Sequence, residues 1–491
     1  MSEQPETPFR PEARAPRGFA DKRARQIAIE RRLITTVSKV YEDFGFEALQ
    51  TPVFEYADAL GKFLPDSDRP NVGVFALQDD DEQWMALRYD LTAPLARFAA
   101  QNWETLPKPF RRYAFGPVYR NEKPGPGRLR EFIQCDADTI GSDRPEADAE
   151  MVALAVAGFK AAGIPAQLRV NNRKLLNGLL ASQGVVDAGQ QMGVLRAIDK
   201  LDRLGLEGVQ LLLGKGRKDD SGAFTKGAEL GDAAIGAVLG FVSAAHAATS
   251  RSQVLERLAA VLSNSPEGQA GLEDLARIGA ALTALGVDDE AAVFDPSIVR
   301  GLEYYTGAVF EAELLIETRD DKGELVKFGS VGGGGRYDDL VARFTGQTTP
   351  ATGFSFGVSR LSAALALAEG HAEARVRGPI VIINFSEADM GAYFALAADI
   401  RAAGLAVEVY LGRSGMRPQM KYADRRLSPA AVMIGEDELK AGTVTIKDLD
   451  LGRDLAMQIS DNKAWREGRP GQVTLPRAEA INHLKSIVES N

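Results

Sequence analysis

The segment Tyr119-Arg120-Asn121-Glu122-Lys123-Pro124-Gly125-Pro126-Gly127-Arg128-Leu129-Arg130-Glu131-Phe132 decides how this chain is read. Two β-type runs enclose a loop that holds two prolines and two glycines. Proline gives a strand ladder no donor and glycine weakens it, so the loop ends both strands. Arg120, Arg128 and Arg130 gather around that loop. A guanidinium offers a planar fork of donors, which suits a polyphosphate. A solvated, charged hairpin is the plain alternative.

On the N-terminal side, residues 1–16 are rich in Pro, Glu and Arg and predict a flexible lead-in. Ile27, Leu33, Ile34, Val37, Val40, Tyr41 and Phe44 have helical spacing, which predicts a helix from about Asp21 to Phe44. Gly45 ends it, and Phe46 to Phe54 reads as one strand. Residues 72–140 alternate short β-type runs with turns, the pattern of an antiparallel sheet. Within them lies Leu87-Arg88-Tyr89-Asp90-Leu91-Thr92-Ala93-Pro94. In an extended chain Asp90 and Thr92 face the same way, and a carboxylate beside a hydroxyl suits a protonated amine. Asp136 and Asp138 share a strand face by the same rule; paired carboxylates also fit a glycosidase or a magnesium site.

On the C-terminal side, residues 145–162 read as a helix and Gln167–Val170 as a strand. Residues 185–288 are rich in Ala, Leu and Gly and helical in period, which predicts a helical insertion. β-type sequence returns over Val299–Leu315 and near Phe328-Gly329-Ser330. Arg300-Gly301-Leu302-Glu303-Tyr304-Tyr305-Thr306-Gly307 brings an arginine into an apolar, aromatic run, where it needs a partner: a bound anion or an internal carboxylate. Gly332 to Gly335 precede Arg336-Tyr337-Asp338 and fit either a close backbone approach to a ligand or a flexible turn. Gly353-Phe354-Ser355-Phe356-Gly357-Val358-Ser359-Arg360-Leu361 reads as a strand entering a helix, with Arg360 placed near a nucleotide or merely capping a hairpin. Residues 371–378 form a charged linker. From Pro379 onward strands alternate with helices, which predicts a small α/β domain over 379–491.

The chain has 491 residues, 58 Lys plus Arg against 68 Asp plus Glu, and a formal charge of −10. That balance argues against a general, charge-driven nucleic-acid binder. Cys135 is the one cysteine and there are three histidines, which excludes an intramolecular disulfide and cysteine-paired zinc sites and argues against a His-centred triad or metal centre. No apolar run reaches about 18 residues, so no membrane span is expected. The N-terminus lacks the apolar stretch of a secretory signal, and a cytoplasmic setting is expected.

Taken together and in order, these segments resemble the histidyl-tRNA synthetase family of class II aminoacyl-tRNA synthetases, from about residue 17 to the C-terminus. Gly45–Glu55 looks like motif 1, 119–132 like motif 2 and 353–361 like motif 3. RGLEYYTG at 300–307 and GGGRYD at 333–338 resemble the histidine-specific segments. The resemblance implies an α+β fold: an antiparallel-sheet catalytic core over 17–370, the helical insertion within it, and a C-terminal anticodon-binding α/β domain. It implies ATP and Mg2+, L-histidine and tRNA(His) as substrates and partners, and a homodimer. A histidine-sensing regulatory paralogue is the alternative; such chains usually lack the anticodon domain.

By that resemblance Arg120 would contact the α-phosphate, Arg128 the ATP tail, Glu122 the adenine end and Arg360 the γ-phosphate. Arg300 would serve the α-phosphate and the histidine carboxylate, so Arg120 and Arg300 carry the catalytic assignment. Asp90, Thr92 and Gln134 would hold the ammonium. Asp138 and Tyr305, with Tyr304 alongside, would grip the imidazole, whose neutral form has one donor and one acceptor. The motif 2 loop, through Gly125, and Arg413, Arg417, Lys421 and Arg425 would meet the tRNA. RYDLT and QCDAD carry Asp where many bacterial members carry Glu. The Gly-Pro-Gly loop offers tRNA backbone groups only. Lys108–Arg130 holds seven basic residues against one acidic, and Arg413–Arg426 five against one. Two local basic stretches on an acidic chain favour a specific RNA substrate over indiscriminate binding.

Overall fold

A computed structural model describes residues 10–63, 73–125, 129–218, 224–299, 305–318, 329–368, 377–456 and 471–489, together with residues 222, 323 and 325. The chain divides into two compact units, Met1–His371 and Ala372–Asn491. No described helix is long and apolar enough to cross a membrane.

The first unit is built on an eight-stranded sheet. In spatial order its strands are Glu47–Ala48, Phe110–Tyr119, Glu131–Ile140, Ala351–Gly357, Ser330–Arg336, Ala308–Leu314, Ala166–Asn172 and Ala292–Phe294. The hairpin quoted at the outset forms in full register, from Phe110 opposite Ile140 to Tyr119 opposite Glu131. Side chains alternate across a strand, so register fixes which residues share a face. Tyr113, Cys135, Ala137, Phe354 and Phe356 point to one face and join the main core. Helix Ala24–Asp43 covers that face with Ile29, Leu33, Val37 and Tyr41, one residue per turn. Helix Pro145–Ala161 packs there too, with Pro145 in its first turn and Val152 and Phe159 in the same core.

The opposite face differs in composition. Arg112, Ala114 and Gly116 lie beside Asp138, Asp136 and Gln134, which lie beside Gly353, Ser355 and Gly357. Gly335 and Gly333 continue the first two of these rows on the next strand. Small residues here leave room for other groups, and this face is covered by Leu95 and Ala96 packing against Phe110 and Ile140.

Several expectations need correction. Phe46–Phe54 is not one strand: Glu47–Ala48 pairs at the edge of the large sheet, while Phe54–Tyr56 joins a separate sheet with Ala76–Gln78 and Trp84–Leu87. The chain bends at Val53, between the two. The 72–140 stretch therefore feeds two sheets and contains an unexpected helix, Thr92–Asn102. The glycine run is no turn; it is the middle of strand Ser330–Arg336, held on both sides. The 185–288 stretch is helical at 188–198, 201–213, 232–242, 251–261 and 266–284, but also carries a hairpin, Gly216–Lys218 with Phe224–Lys226.

The second unit has a five-stranded sheet ordered Val407–Val409, Ile380–Ile383, Ala430–Met433, Thr443–Asp448, Gln472–Pro476. The first three strands are parallel and the last two antiparallel. Ile380–Ile383 is buried along its whole length, Ile380 and Ile382 in one core and Val381 and Ile383 in another. That explains its continuous apolar run.

Candidate active site

Asp138 stands buried on this second face of the large sheet, and its surroundings are made by its neighbours' lack of side chains. A Cβ on Gly353 would lie 2.0 Å from Asp138 Oδ1. A Cβ on Gly335, next in the row, would lie 2.9 Å from the Tyr305 ring. A Cβ on Gly116 would lie 2.4 Å from Arg88 Nη2. Three glycines thus make the space through which a carboxylate, an aromatic ring and a guanidinium cross the sheet.

These groups form a buried polar cluster. Tyr337 donates its hydroxyl proton to Asp138 Oδ1. Arg112 Nη2 lies 3.0 Å from Asp138 Oδ2 and donates to the Leu91 carbonyl. Arg88 donates from Nε to Pro117 O and from Nη1 to Thr51 O. Burial pushes the Asp138 carboxyl up, against the pull of Arg112 and Tyr337. Burial, then the Asp138 charge, pushes Asp136 up to about 7, opposed by Arg112 and the Ser355 hydroxyl. Among the described residues, Arg88 Nη2, Arg112 Nε and Nη1, Gln134 Oε1 and Asp136 Oδ1 are buried with no hydrogen-bond partner. Such atoms cost about 1–3 kcal/mol each when left unpaired, and here they are close enough together to receive one polar ligand.

Asp90 and Thr92 do not lie on an extended chain as the spacing suggested. Thr92 opens helix Thr92–Asn102, and Asp90 Oδ1 accepts the backbone N–H groups of Thr92 and Ala93 at 3.1 and 2.8 Å. Asp90 is nonetheless close enough to raise both Asp136 and Asp138. Gln134 Nε2 donates to Ser355 Oγ at 2.8 Å.

At the loop end of the hairpin, the Arg120 guanidinium stacks between two rings, 4.3 Å from the centre of Tyr89 and 5.1 Å from that of Phe132. Tyr89 donates to Glu122 Oε1 at 3.0 Å, and Arg130 Nε donates to the Glu122 carbonyl. Gly125 is exposed, with nothing near its Cβ position. Arg360, in the first turn of helix Val358–Ala368, donates to Ser330 O. Ser359 ties that helix to the hairpin: its Oγ accepts the Ile133 N–H and donates to Glu30. Arg120, Glu122, Asp90, Thr92, Gln134, Asp138, Tyr305 and Arg360 therefore belong to strands, helix starts and loops of one unit. Arg128, Arg300 and Tyr304 lie outside the described residues.

The RYD segment divides its labour. Arg336 faces the helices, where it pairs with Asp148 at 2.9 Å and donates to Ser142 O and Arg144 O. Asp338 accepts from the Thr306 hydroxyl at 2.7 Å and so anchors the end of the 300–307 segment. Tyr337 alone reaches the polar cluster. Sequence reasoning quoted Tyr337, Arg88 and Ser355 without giving them a role, and counted Arg112 only as one of a basic stretch. The alternation Arg112, Ala114, Gly116 in a β-type run was the available signal.

In the second unit, Arg417, Lys421 and Arg425 share the exposed face of helix Met416–Arg425. Pro418 sits in its first turn rather than at its start. The opposite face is pinned by buried Gln419, which accepts the Asn384 N–H and donates to Asn384 O and Ser414 O. Arg413 precedes the helix, exposed, 3.5 Å from Glu387. Arg426 is drawn off to Glu408.

Comparisons with known proteins follow the same outline. Residues 18–361 match the family described as histidyl-tRNA synthetase, and residues 379–469 match an anticodon-binding domain. A histidine--tRNA ligase of Caulobacter vibrioides is 67% identical over 99% of both chains. One of Brucella suis biovar 1 is 50% identical over 97% of this chain and 96% of its own. The crystal structure of histidyl-tRNA synthetase from Nostoc sp. PCC 7120 superposes with a TM-score of 0.72 at 27% identity, covering 97% of this chain and 99% of that one. An antiparallel core, a helical insertion and a C-terminal α/β unit, matched along nearly their whole length, place this chain in the histidyl-tRNA synthetase family.

Proposed function

We propose that this chain ligates L-histidine to tRNA(His) at the expense of ATP. The histidine carboxylate attacks the α-phosphorus and pyrophosphate leaves, giving histidyl-adenylate. A terminal tRNA hydroxyl then attacks the activated carbonyl and AMP leaves. The observation that carries the reading is the 67% identity to a histidine--tRNA ligase along 99% of both chains. The anticodon-binding match at 379–469 disfavours the regulatory alternative.

Adenylate formation needs alignment and charge neutralisation more than a protein nucleophile. Arg120, held flat between two rings, suits an α-phosphate contact, with Glu122 at the adenine and Arg128 and Arg360 along the phosphate tail. Arg300 is assigned to the α-phosphate and histidine carboxylate. The described residues contain no group of three or more potential metal ligands. Mg2+ is expected on the triphosphate, where it would supply charge neutralisation. Asp90, Thr92 and Gln134 are assigned to the ammonium, and Asp138, Tyr304 and Tyr305 to the imidazole and its approach. Gly125, Arg413, Arg417, Lys421 and Arg425 are assigned to tRNA. A homodimer and a cytoplasmic setting complete the proposal, with 17–370 as catalytic core, 185–288 as its insertion and 379–491 as anticodon domain.

The test is ATP–pyrophosphate exchange by purified protein with each amino acid in turn. Exchange with histidine alone is expected; exchange driven by another amino acid, or by none, refutes the proposal.

A further inference from the structure

We propose that Asp136 and Ser355 are positioning residues that fix the Gln134 side-chain amide with its carbonyl turned to the substrate ammonium. The inference rests on the assignment of Gln134 to that ammonium.

The argument is one of donor supply. Ser355 Oγ accepts a proton from Gln134 Nε2 at 2.8 Å. Asp136 lies opposite Ser355 in the sheet, within hydrogen-bonding reach of its hydroxyl. A serine has one proton to give. When it accepts from the glutamine amide, that proton is available to the Asp136 carboxylate. The chain of bonds then runs in one direction, from Gln134 through Ser355 to Asp136. The reversed amide would take the serine proton and leave the carboxylate without it. Gln134 Oε1 is therefore left facing away from the relay, buried and without a partner among the described residues. An acceptor held there suits a cation.

Protonation of Asp136 removes the constraint. A neutral carboxyl can donate to Ser355, which then donates to Gln134 Oε1 and turns the amide NH2 toward the ammonium. The groups that set the Asp136 charge are Asp138 on its own strand, Arg112 on the adjacent one, Arg88 and Asp90 from the 88–90 segment, and Tyr41 and Cys135 behind the sheet. Burial dominates them, and holds the titration near neutrality.

The experiment compares histidine KM, ATP KM and kcat in pyrophosphate exchange for wild type, Asp136→Asn, Ser355→Ala and the double variant, at pH 5.5 and 8.5. Titration of free histidine is common to all four and cancels in ratios. A hydrogen bond to a charged group corresponds to about tenfold or more. Asp136→Asn is expected to raise histidine KM about tenfold at pH 8.5 and much less at pH 5.5, with ATP KM unchanged. Ser355→Ala is expected to raise it at pH 8.5 and much less at pH 5.5, and the double variant to be no worse than Ser355→Ala. Removing a buried charge relieves its desolvation cost, so Asp136→Asn should melt no lower than wild type at pH 8.5. An unchanged histidine KM, an equal rise in both KM values, or additive effects in the double variant would each overturn the inference. Wild type without histidine-dependent exchange would instead overturn the assignment beneath it, and this inference with it.

Discussion

Tyr337→Phe deletes one oxygen and keeps the ring, which is buried among Leu95, Ala96, Phe110 and Val341. The packing loss is therefore small, and the effect falls on Asp138. In the native protein that carboxylate has two supports, the Tyr337 hydroxyl on Oδ1 and Arg112 on Oδ2. Losing a hydrogen bond to a buried charge costs about 1.5–3 kcal/mol, while a neutral one costs about 1 kcal/mol. Burial holds Asp138 above its ordinary 3.8. The folded state thus binds that proton more tightly than the unfolded chain does. Ionising Asp138 subtracts stability as pH rises through the folded value, and the tyrosine hydroxyl offsets part of that loss. The variant should therefore be about 1.5–3 kcal/mol less stable than wild type where Asp138 is ionised, but only about 1 kcal/mol less stable where it is protonated, so the destabilisation grows from low to high pH. Urea unfolding across a pH series measures this. Equal destabilisation throughout, or a larger loss in acid, would show that the hydroxyl does not support a buried carboxylate.

Gly353→Ala places a methyl group 2.0 Å from Asp138 Oδ1 and 2.9 Å from the Ala137 carbonyl. It should cost about 1–3 kcal/mol of stability and raise histidine KM in pyrophosphate exchange more than ATP KM; a wild-type histidine KM would remove Asp138 from the site. Replacing Arg417, Lys421 and Arg425 together by Ala should weaken tRNA binding and flatten its salt dependence by roughly one counterion per lost phosphate contact. Tryptophan fluorescence titration at several salt concentrations reads this, and an unchanged slope would show that the helix does not meet phosphate.

What the sequence made legible was local. Leu33, Val37 and Tyr41 of helix Ala24–Asp43 recur once per turn, and nothing distant is needed to see it, although Ile29 was passed over and Ile27 proves exposed. The hairpin around 119–132 announces itself through Pro and Gly between β-type runs. The βαβ order after Pro379 follows from a strand buried on both faces. What escaped was set by distant partners. Gly332–Gly335 has poor strand propensity and becomes a strand because Ala308–Leu314 and Ala351–Gly357 flank it. Asp90 and Thr92 were two residues apart in either reading, but the Asp90 carboxylate makes Thr92 a helix start. Tyr337 meets its carboxylate across 199 residues of sequence. The motif that contained it suggested importance without saying which of Arg336, Tyr337 and Asp338 did what.

The two faces of the large sheet show why those distant choices matter. On one face Phe354, Phe356, Cys135 and Ala137 meet helices, and substitution there is a packing question. On the other, the same strands place Gly353, Ser355, Asp136 and Asp138. A side chain at Gly116, Gly335 or Gly353 would occupy the room now taken by Arg88, Tyr305 or Asp138. Glycine in a strand interior costs stability, and so does every unpaired buried polar atom. On the second face the unpaired atoms of Arg88, Arg112, Gln134 and Asp136 suit the proposed ligand, whose ammonium, carboxylate and imidazole offer both donors and acceptors. On that proposed assignment, an analogue lacking one of those groups would leave the same atoms unpaired, and the arrangement would discriminate most strongly against substrates that fit by size but cannot complete the bonds.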